Sequence, residues 1–347
     1  MSHSEFFGYY PWQRQIAQNW LQHRERFAHA WLIHGAPGIG KVTFARQSAQ
    51  SLLCWQPQHG LACQQCDACR WCQQGNHPDL RLIRPEAVAV LEAGSTEADT
   101  TKKTAPSKEI RVEQLRQLQS WFTTATHRGG WRVAVLYPAE RLNTVSANAL
   151  LKMLEEPPEH TVFLLVAEAP DRLLPTIVSR CRRLPLPLPS SNEALAWLDE
   201  QGLSDSTSWL AAAGGGPLAA FALAQQQDRP YPDWLSALLQ QLLQTAPRYE
   251  GIAEQLEKLP ASQWLHILHC MVMDLHLLSV HLPARYYPDL YQAYLKQVAE
   301  LSPLALSQLH KWLLEQIRWQ EHPLNAKLLV HHTLDRLHRS LNTKAAA

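Results

Sequence analysis

The sequence has almost no excess of charge of either sign and no long apolar run. Its 347 residues include 32 lysine and arginine side chains against 31 aspartate and glutamate side chains, which gives a formal net charge of +1. Proteins that bind nucleic acid tightly on their own usually carry a basic excess, so the composition favours protein partners. No uninterrupted apolar span approaches the roughly 20 residues of a membrane helix, and no signal peptide pattern is present. We therefore expect a cytoplasmic protein without membrane contact.

Cysteine is scarce except in one segment, which holds five of the seven cysteines. In a reducing compartment, thiols indicate metal binding or burial rather than disulfides. Cys54, Cys63, Cys66 and Cys69 follow the spacing C-x8-C-x2-C-x2-C, and four thiolates suit a tetrahedral structural zinc ion. Cys72 continues the spacing and could replace Cys69. We predict zinc on the first four cysteines; the alternative is a set of buried free thiols.

A glycine-rich turn follows the apolar segment at 30–34. It has the pattern G-x-x-x-x-G-K, formed by Gly35, Gly40 and Lys41, with a further glycine at Gly38. Glycines let the backbone wrap closely around a phosphate, the start of the next helix supplies N–H groups, and the lysine adds a positive charge. The segment is therefore predicted to form a strand, a phosphate-binding loop and the beginning of a helix.

The loop lacks the partners that nucleotide hydrolysis needs. A hydroxyl after the lysine and an acid at the end of a neighbouring strand normally hold the magnesium ion. Here Val42 has no hydroxyl, and Thr43 comes one place late, so a rotation of about 100° per residue turns it elsewhere. The candidate neighbouring strand ends in Tyr137 and Pro138, with Glu140 two places beyond. We expect no hydrolysis by this chain alone and doubtful ATP binding, although the retained lysine leaves weak binding open.

Short apolar runs alternate with segments of helical periodicity in the first half of the chain, which predicts an α/β fold with a parallel sheet flanked by helices. Small polar residues at 94–108 indicate a mobile surface loop. After Cys181, three prolines at 185, 187 and 189 form a stiff connector. The sequence from Tyr231 onward is leucine-rich and predicts roughly five helices and no strand. The pattern divides the chain into 1–187, a small helical unit at 188–228 and an all-helical part at 229–347.

Two further motifs carry a family resemblance. One is SANALLKMLEEPP, from Ser146 to Pro158, and the other is PTIVSRC, from Pro175 to Cys181. Together with the phosphate loop and the cysteines, they resemble the bacterial clamp-loader ATPases, which are AAA+ subunits of the replicative DNA polymerase III holoenzyme. The resemblance implies an AAA+ domain at 1–187 with an inserted zinc module at 54–72, a helical lid at 188–228 and a collar for oligomerisation at 229–347.

The departures from the family pattern favour its non-hydrolysing stator subunits over its catalytic gamma/tau subunits. The catalytic members carry an Asp-Glu pair where this chain has Tyr137 and Pro138, a sensor arginine where Leu218 stands, and a hydroxyl in place of Val42. The resemblance further implies a hetero-pentamer with gamma/tau and delta subunits, which acts on the sliding clamp and primed DNA as a component of a DNA-directed DNA polymerase holoenzyme.

Arg180, preceded by Ser179 in the second motif, matches the arginine that these stator subunits lend to a neighbour's ATP site. A guanidinium is always charged and can fork onto a γ-phosphate, so the resemblance implies a catalytic role in trans for this pair. The alternative is an ordinary surface arginine. Two other hypotheses stay open. One is an active gamma/tau-like ATPase whose acidic residues stand elsewhere, and the other is a zinc-dependent nucleic-acid binder, which the near-zero net charge disfavours.

Overall fold

The structure is a computed structural model, and it describes residues 8–22, 27–93, 105–122, 124, 126, 130–244, 248–319 and 325–342. The loop predicted at 94–108 lies outside the described residues as far as residue 104. The chain forms two compact units, Met1–Glu193 and Ala194–Ala347. The division into three domains stays a prediction.

A five-stranded sheet organises the first unit. Its strand order is β2-β3-β4-β1-β5, and every neighbouring pair is parallel. Parallel neighbours require crossover connections, and helices supply them here. The predicted parallel α/β architecture is confirmed. The strands are β1 (Ala30–His34), β2 (Leu80–Ile83), β3 (Arg132–Leu136), β4 (Thr161–Ala167) and β5 (Arg182–Pro185).

Helices cover both faces of this sheet, so its central strands are buried along their whole length. Every residue of β3 and β4 is buried, as the continuous apolar sequence of a parallel strand predicts. Successive side chains feed two separate cores: Val162 and Leu164 enter one, and Phe163 and Leu165 enter the other. The helices of this unit are α1 (Pro11–Leu21), α2 (Lys41–Leu53), α3 (Asp67–Gln73), α4 (Glu86–Glu92), α5 (Val112–Phe122), α6 (Thr144–Glu155) and α7 (Pro175–Arg180).

Helix α6 contains the longest family motif and begins and ends at clear sequence signals. The Asn143 side chain accepts a hydrogen bond from the Ser146 backbone N–H at 2.9 Å, which satisfies one of the unpaired donors of a helix start. The hydroxyl of Ser146 donates to the Ile110 carbonyl at 2.7 Å. Pro157 lies just beyond the last turn. The motif therefore encodes a helix with a fixed beginning and a fixed end, so that Glu155 has a defined place.

The edge strand β5 was not predicted. Its sequence, RRLP, reads as part of a charged, proline-rich connector, and three of its four residues are exposed. Edge strands tolerate charges and proline, since one side makes no ladder hydrogen bonds. Strand β5 pairs with β1 in register, Trp31 opposite Arg182 and His34 opposite Pro185. This register determines where the end of α7 lies along the sheet.

The second unit is helical wherever the structure describes it. Its longest helix, α13 (Ala261–Ser279), contacts α15 (Pro303–Trp319) extensively. Among the described residues no single helix is long and apolar enough to cross a membrane. Within that part of the chain, only the bent pair α9 (Ser206–Ala212) and α10 (Pro217–Ala224) reaches that length and composition together. After Tyr231 there are six α-helices in the described part rather than roughly five. The remaining helices are α8 (Ser191–Glu200), which begins at the unit boundary, α9 (Ser206–Ala212), α10 (Pro217–Ala224), α11 (Asp233–Leu242), α12 (Glu250–Lys258), α14 (Leu295–Ala299) and α16 (Ala326–Leu341).

Candidate functional site

The phosphate loop follows the carboxyl end of β1, and its glycines occupy positions that no other residue would fit well. Gly38 and Gly40 have φ angles of 71° and 81°, which is the left-handed region that favours glycine. A Cβ at Gly35 would lie 2.3 Å from the carbonyl oxygen of Leu186, and one at Gly40 would lie 2.7 Å from the Tyr10 ring. The backbone of a phosphate-binding loop is thus present in the fold.

The beginning of α1 packs against this loop. The Trp12 indole Nε1 donates to the Ile39 carbonyl at 3.0 Å, and the Gln13 amide Nε2 donates to the carbonyls of Ile39 and Gly40 at 2.7 and 2.9 Å. Gln13 is almost completely buried. These bonds use carbonyl oxygens of the loop, so side chains of α1 help to fix the conformation of the loop.

The lysine of the loop is already engaged. The Lys41 ammonium Nζ donates to the Ala36 carbonyl at 2.6 Å and lies 3.4 Å from Oε1 of Glu168. The Lys41 side chain is only 5% exposed, whereas Glu168 is 60% exposed. Burial lowers the pKa of Lys41, and the neighbouring Glu168 carboxylate opposes this shift. The positive charge that would meet a phosphate is therefore partly neutralised from within the chain.

Glu168 is a residue that the sequence reading missed. It follows the last residue of β4 directly, and β4 is the neighbour of β1. Because carboxyl ends of parallel strands meet at one edge of a sheet, an acid in this position lies beside the phosphate loop. That placement was the available signal. A carboxylate there pairs with the lysine and repels an incoming triphosphate.

The expected ligands for magnesium have other roles or are missing. Val42 has no hydroxyl, and the Thr43 hydroxyl forms a hydrogen bond with the Tyr10 side chain. Tyr137, at the end of β3, is 1% exposed, and its hydroxyl donates to Oε2 of Glu92 at 3.1 Å; burial raises the pKa of this phenol. Leu218, where a sensor arginine would stand, lies in the first turn of α10.

Glu140 braces the end of β4. Its Oε1 accepts hydrogen bonds from the backbone N–H groups of Glu168 and, at 2.8 Å, Ala169. Its other oxygen, Oε2, is buried and has no hydrogen-bond partner among the described residues. The carboxylate also acts electrostatically on Lys41. Glu140 therefore holds the backbone that positions Glu168.

Replacing Glu168 with glutamine is expected to raise the affinity of the isolated chain for ADP about fivefold, because a partly exposed ion pair is worth about 1 kcal/mol. The amide keeps the size of the side chain and removes the charge that competes with the phosphates for Lys41. Titration with a fluorescent ADP analogue measures the change. Glu159→Gln, an exposed acid elsewhere in the unit, serves as the control. A lower or unaltered affinity in Glu168→Gln would contradict the competition.

The structure brings four sulfur atoms together between α2 and α3. The Sγ atoms of Cys54 and Cys66 lie 3.9 Å apart, as do those of Cys63 and Cys69, and all four lie within 4.8 Å of one another. Zinc–sulfur bonds of about 2.3 Å in a tetrahedron place sulfur atoms about 3.8 Å apart. Backbone N–H groups of Cys63 and Cys66 donate to the sulfur atoms of Cys54 and Cys63. The cluster can hold a metal ion of this geometry.

The thiols differ in how easily they ionise. Despite the opposing effect of burial, hydrogen bonds from the backbone of Gln65 and Cys66 and from neighbouring thiols lower the pKa of Cys63 to about 6. Cys72 lies outside the set of four converging sulfur atoms, and burial raises its pKa to about 12. The geometry thus favours Cys69 over Cys72 as the fourth ligand. Gln50 supports this turn, since its amide donates to the Cys69 carbonyl at 3.2 Å.

Arg180 is the last residue of α7 and is partly exposed. One nitrogen of its guanidinium, Nη2, lies 2.6 Å from Oε1 of Glu155 at the end of α6, and Nη1 donates to the Thr176 carbonyl at 2.9 Å. The Ser179 hydroxyl donates to the same carbonyl at 3.0 Å. The side chain of Arg180 is 36% exposed and that of Glu155 is 49% exposed, so another molecule can reach the pair.

Arg180 and the phosphate loop lie at opposite ends of the sheet. Two residues after Arg180, Arg182 pairs with Trp31 near the start of β1, whereas the loop follows the last residue of the same strand. A strand advances about 3.3 Å per residue, so the four steps from Trp31 to Gly35 separate these levels by roughly 13 Å. Arg180 does not serve the loop of its own chain.

A family model described as "DNA polymerase III, delta subunit" matches residues 12–190. The DNA polymerase III subunit delta' of Pseudomonas aeruginosa is 38% identical over 251 residues, which cover 70% of this chain and 70% of that protein. The chain belongs to the delta-prime family of DNA polymerase III subunits. The delta' subunit of Escherichia coli is 32% identical over 77% of this chain and 75% of its own length, which extends the similarity into the helical unit.

The similarity to the catalytic branch is more limited. The DNA polymerase III subunit tau of Escherichia coli is 36% identical over 156 residues, which cover 45% of this chain and 21% of that protein. The two delta' subunits named above align over a larger share of both chains. The prediction of a delta-prime clamp-loader subunit is confirmed at the level of the family. The roles of individual residues in this delta-prime family member stay proposals.

Proposed function

We propose that this clamp-loader subunit is a stator: it does not hydrolyse ATP itself and lends Arg180 to the ATP site of a neighbouring subunit. The observation that carries this proposal is an asymmetry within one sheet. The phosphate loop has an occupied lysine and no magnesium ligands, while an exposed arginine lies at the other end. A chain with this arrangement can assist phosphoryl transfer only at the ATP site of another subunit.

The proposed partners are the gamma/tau and delta subunits of a hetero-pentamer, which together load the sliding clamp onto primed DNA. The helical unit supplies the collar through which the subunits pack, with helices α8 to α10 as the lid. This assignment rests on the family membership, and exposed leucines such as Leu304 and Leu328 are available for such packing. With this role goes a cytoplasmic location and a place in a DNA polymerase holoenzyme.

In the proposed mechanism the guanidinium of Arg180 stabilises negative charge on the neighbour's γ-phosphate. Charge spreads over the phosphoryl oxygens during transfer, and a planar cation with several N–H donors binds it better than a lysine would. Glu155 holds Arg180 beforehand and must share or release it when a phosphate arrives. Ser179 contributes by fixing the last turn of α7 through its bond to Thr176.

The four-cysteine cluster is proposed to hold structural zinc. Cys54, Cys63, Cys66 and Cys69 would fill all four coordination positions, which leaves none for substrate or water. Zinc bound there would only add rigidity. The cluster lies between the end of α2 and the beginning of α3, so the ion would connect the helix that follows the phosphate loop to α3.

The isolated chain is expected to release phosphate from Mg-ATP at the rate of the buffer blank, with or without primed DNA, because the loop lacks both magnesium ligands. In the reconstituted complex, Lys41→Ala is expected to leave the DNA-stimulated ATPase rate within about twofold of the unmodified complex. A coupled phosphate-release assay measures both rates. The corresponding loop lysine of a gamma/tau subunit, changed in the same complex, gives the positive control.

The second candidate is an active gamma/tau-like ATPase. Two carboxylates, Glu140 and Glu168, act on Lys41 and could be imagined as metal ligands. One oxygen of Glu140 is occupied by backbone N–H groups, however, and Glu168 pairs with the lysine itself. Brisk turnover by the isolated chain that Lys41→Ala abolishes would establish this second function and refute the stator.

A further inference from the structure

A group of metal-binding side chains lies on α13 in the helical unit, far along the sequence from the four cysteines. His266, His269 and Cys270 are spaced i, i+3 and i+4, which places them on one side of a helix. Their ligand atoms all lie within 4.8 Å of one another. The Cys270 sulfur and the Nε2 atom of His266 are 3.8 Å apart. Bonds of about 2.0 Å to nitrogen and 2.3 Å to sulfur would place two tetrahedral zinc ligands about 3.6 Å apart.

Two nitrogen atoms beside this group are buried without a partner. Nε2 of His269 and Nδ1 of His310 are shielded from solvent and make no hydrogen bond within the described part of the chain. His310 lies on α15, and its ring centroid is 4.7 Å from that of His269. Leaving a buried polar atom unpaired is energetically costly, so such atoms are rare without a reason. His269 is already in the ligand set, and a cation bound through Nε2 would satisfy this nitrogen.

We propose that His266, His269 and Cys270 form a second metal site, which takes a borderline-soft divalent transition ion such as zinc. Imidazole nitrogen and thiolate sulfur are the donors that zinc prefers, while magnesium and calcium prefer oxygen. His310, on the adjacent helix, lies beside His269 but outside the three converging ligands. Tyr287 forms a hydrogen bond with the Cys270 side chain, which supplies the outer support that metal ligands usually have.

Such an ion would join successive turns of α13 in the unit that is proposed to form the collar. Helix α15 packs along α13, so its His310 lies beside the site without being one of the three ligands. The binding chemistry itself depends only on these side chains. It can therefore be tested whether or not the chain acts as a stator.

Titration of the full-length chain with Co²⁺ tests the site. The protein is first given one equivalent of zinc, which the four-cysteine cluster takes up first because it offers a complete set of four ligands. We expect one further equivalent of Co²⁺ to bind, with the near-ultraviolet absorption of a thiolate–cobalt bond. Cys270→Ala should remove that absorption. His266→Ala and His269→Ala should each weaken binding at least about tenfold, as loss of one ligand from a small site does.

The controls separate ligation from folding and from the other cluster. His266 is exposed, so its removal leaves the core intact, and circular dichroism of each variant checks this. His331→Ala, on α16, removes an exposed histidine of the same unit and should leave binding unaltered. Cys66→Ser should leave the second equivalent in place. Absence of a second equivalent below about 100 µM Co²⁺, or its persistence in all three ligand variants, would overturn the proposal.

Discussion

Replacing Arg180 with alanine is expected to lower ATP turnover at the neighbour's site by on the order of 10³-fold, which is the lower end for loss of an arginine finger. The DNA-stimulated ATPase of the whole complex should then fall to what the other sites supply. The reason lies in the geometry: the guanidinium is exposed, charged and held by Glu155 at the end of the sheet that its own loop does not occupy.

The measurement is steady-state phosphate release by the complete complex with primed DNA. Assembly should survive, because the ion pair with Glu155 is partly exposed and such pairs contribute about 1 kcal/mol or less. Arg182→Ala is the matched control, since Arg182 is an exposed arginine two residues along and should leave turnover unaltered. Arg180→Lys should recover only part of the rate, because a lysine keeps the charge without the fork. Full activity of the Arg180→Ala complex would remove the proposed role.

Replacing Cys66 with serine is expected to abolish tight zinc binding by the four-cysteine cluster and to lower the free energy of unfolding of the first unit by several kcal/mol. Structural zinc contributes an apparent ~10–16 kcal/mol in small zinc peptides, and a hydroxyl is a poor substitute for a thiolate. Cys66 is also the residue that immediately precedes α3, and it shares the cluster with Cys54 at the end of α2. Without the ion, four thiols converge with little to hold them together.

Metal content of the purified chain and urea unfolding together measure this effect. Cys72→Ala is the control: this buried cysteine lies outside the cluster, so zinc should be retained while unfolding shifts by about 1 kcal/mol. A Cys66→Ser chain with the same zinc content and the same unfolding midpoint as the unmodified chain would show that the four thiols do not act as ligands. The same preparation of Cys66→Ser also shows whether the α13 histidines bind metal independently.

The parallel sheet was predictable because its strands are continuous apolar runs separated by helical periodicity. Strand β4, for example, is buried at all seven positions, and such a sequence fits few other environments. Helix α6 was predictable for a similar reason, since its capping residue and terminating prolines are local signals. Strand β5 was not. Four residues with two arginines and a proline carry no periodicity, and only the pairing with β1 makes them a strand.

In the candidate site, too, local sequence patterns were predictable and long-range contacts were not. The glycines of the phosphate loop and the spacing of the cysteines are local patterns, so the sequence indicates them directly. The contacts of Lys41 with Glu168 and of Arg180 with Glu155 join residues 127 and 25 positions apart. Such pairs depend on strand order and helix packing, which one sequence does not reveal. The histidines of α13 and α15 likewise meet only through tertiary packing.

The parallel arrangement of β1 and β5 gives this chain a direction. Arg180 lies toward one end of the sheet and the phosphate loop follows the other end. In the proposed ring, each subunit would lend an arginine to the next, and this member would give one although its own loop could not use one. Such a ring would have fewer competent ATP sites than subunits, and the inactive site would always be at this member's loop.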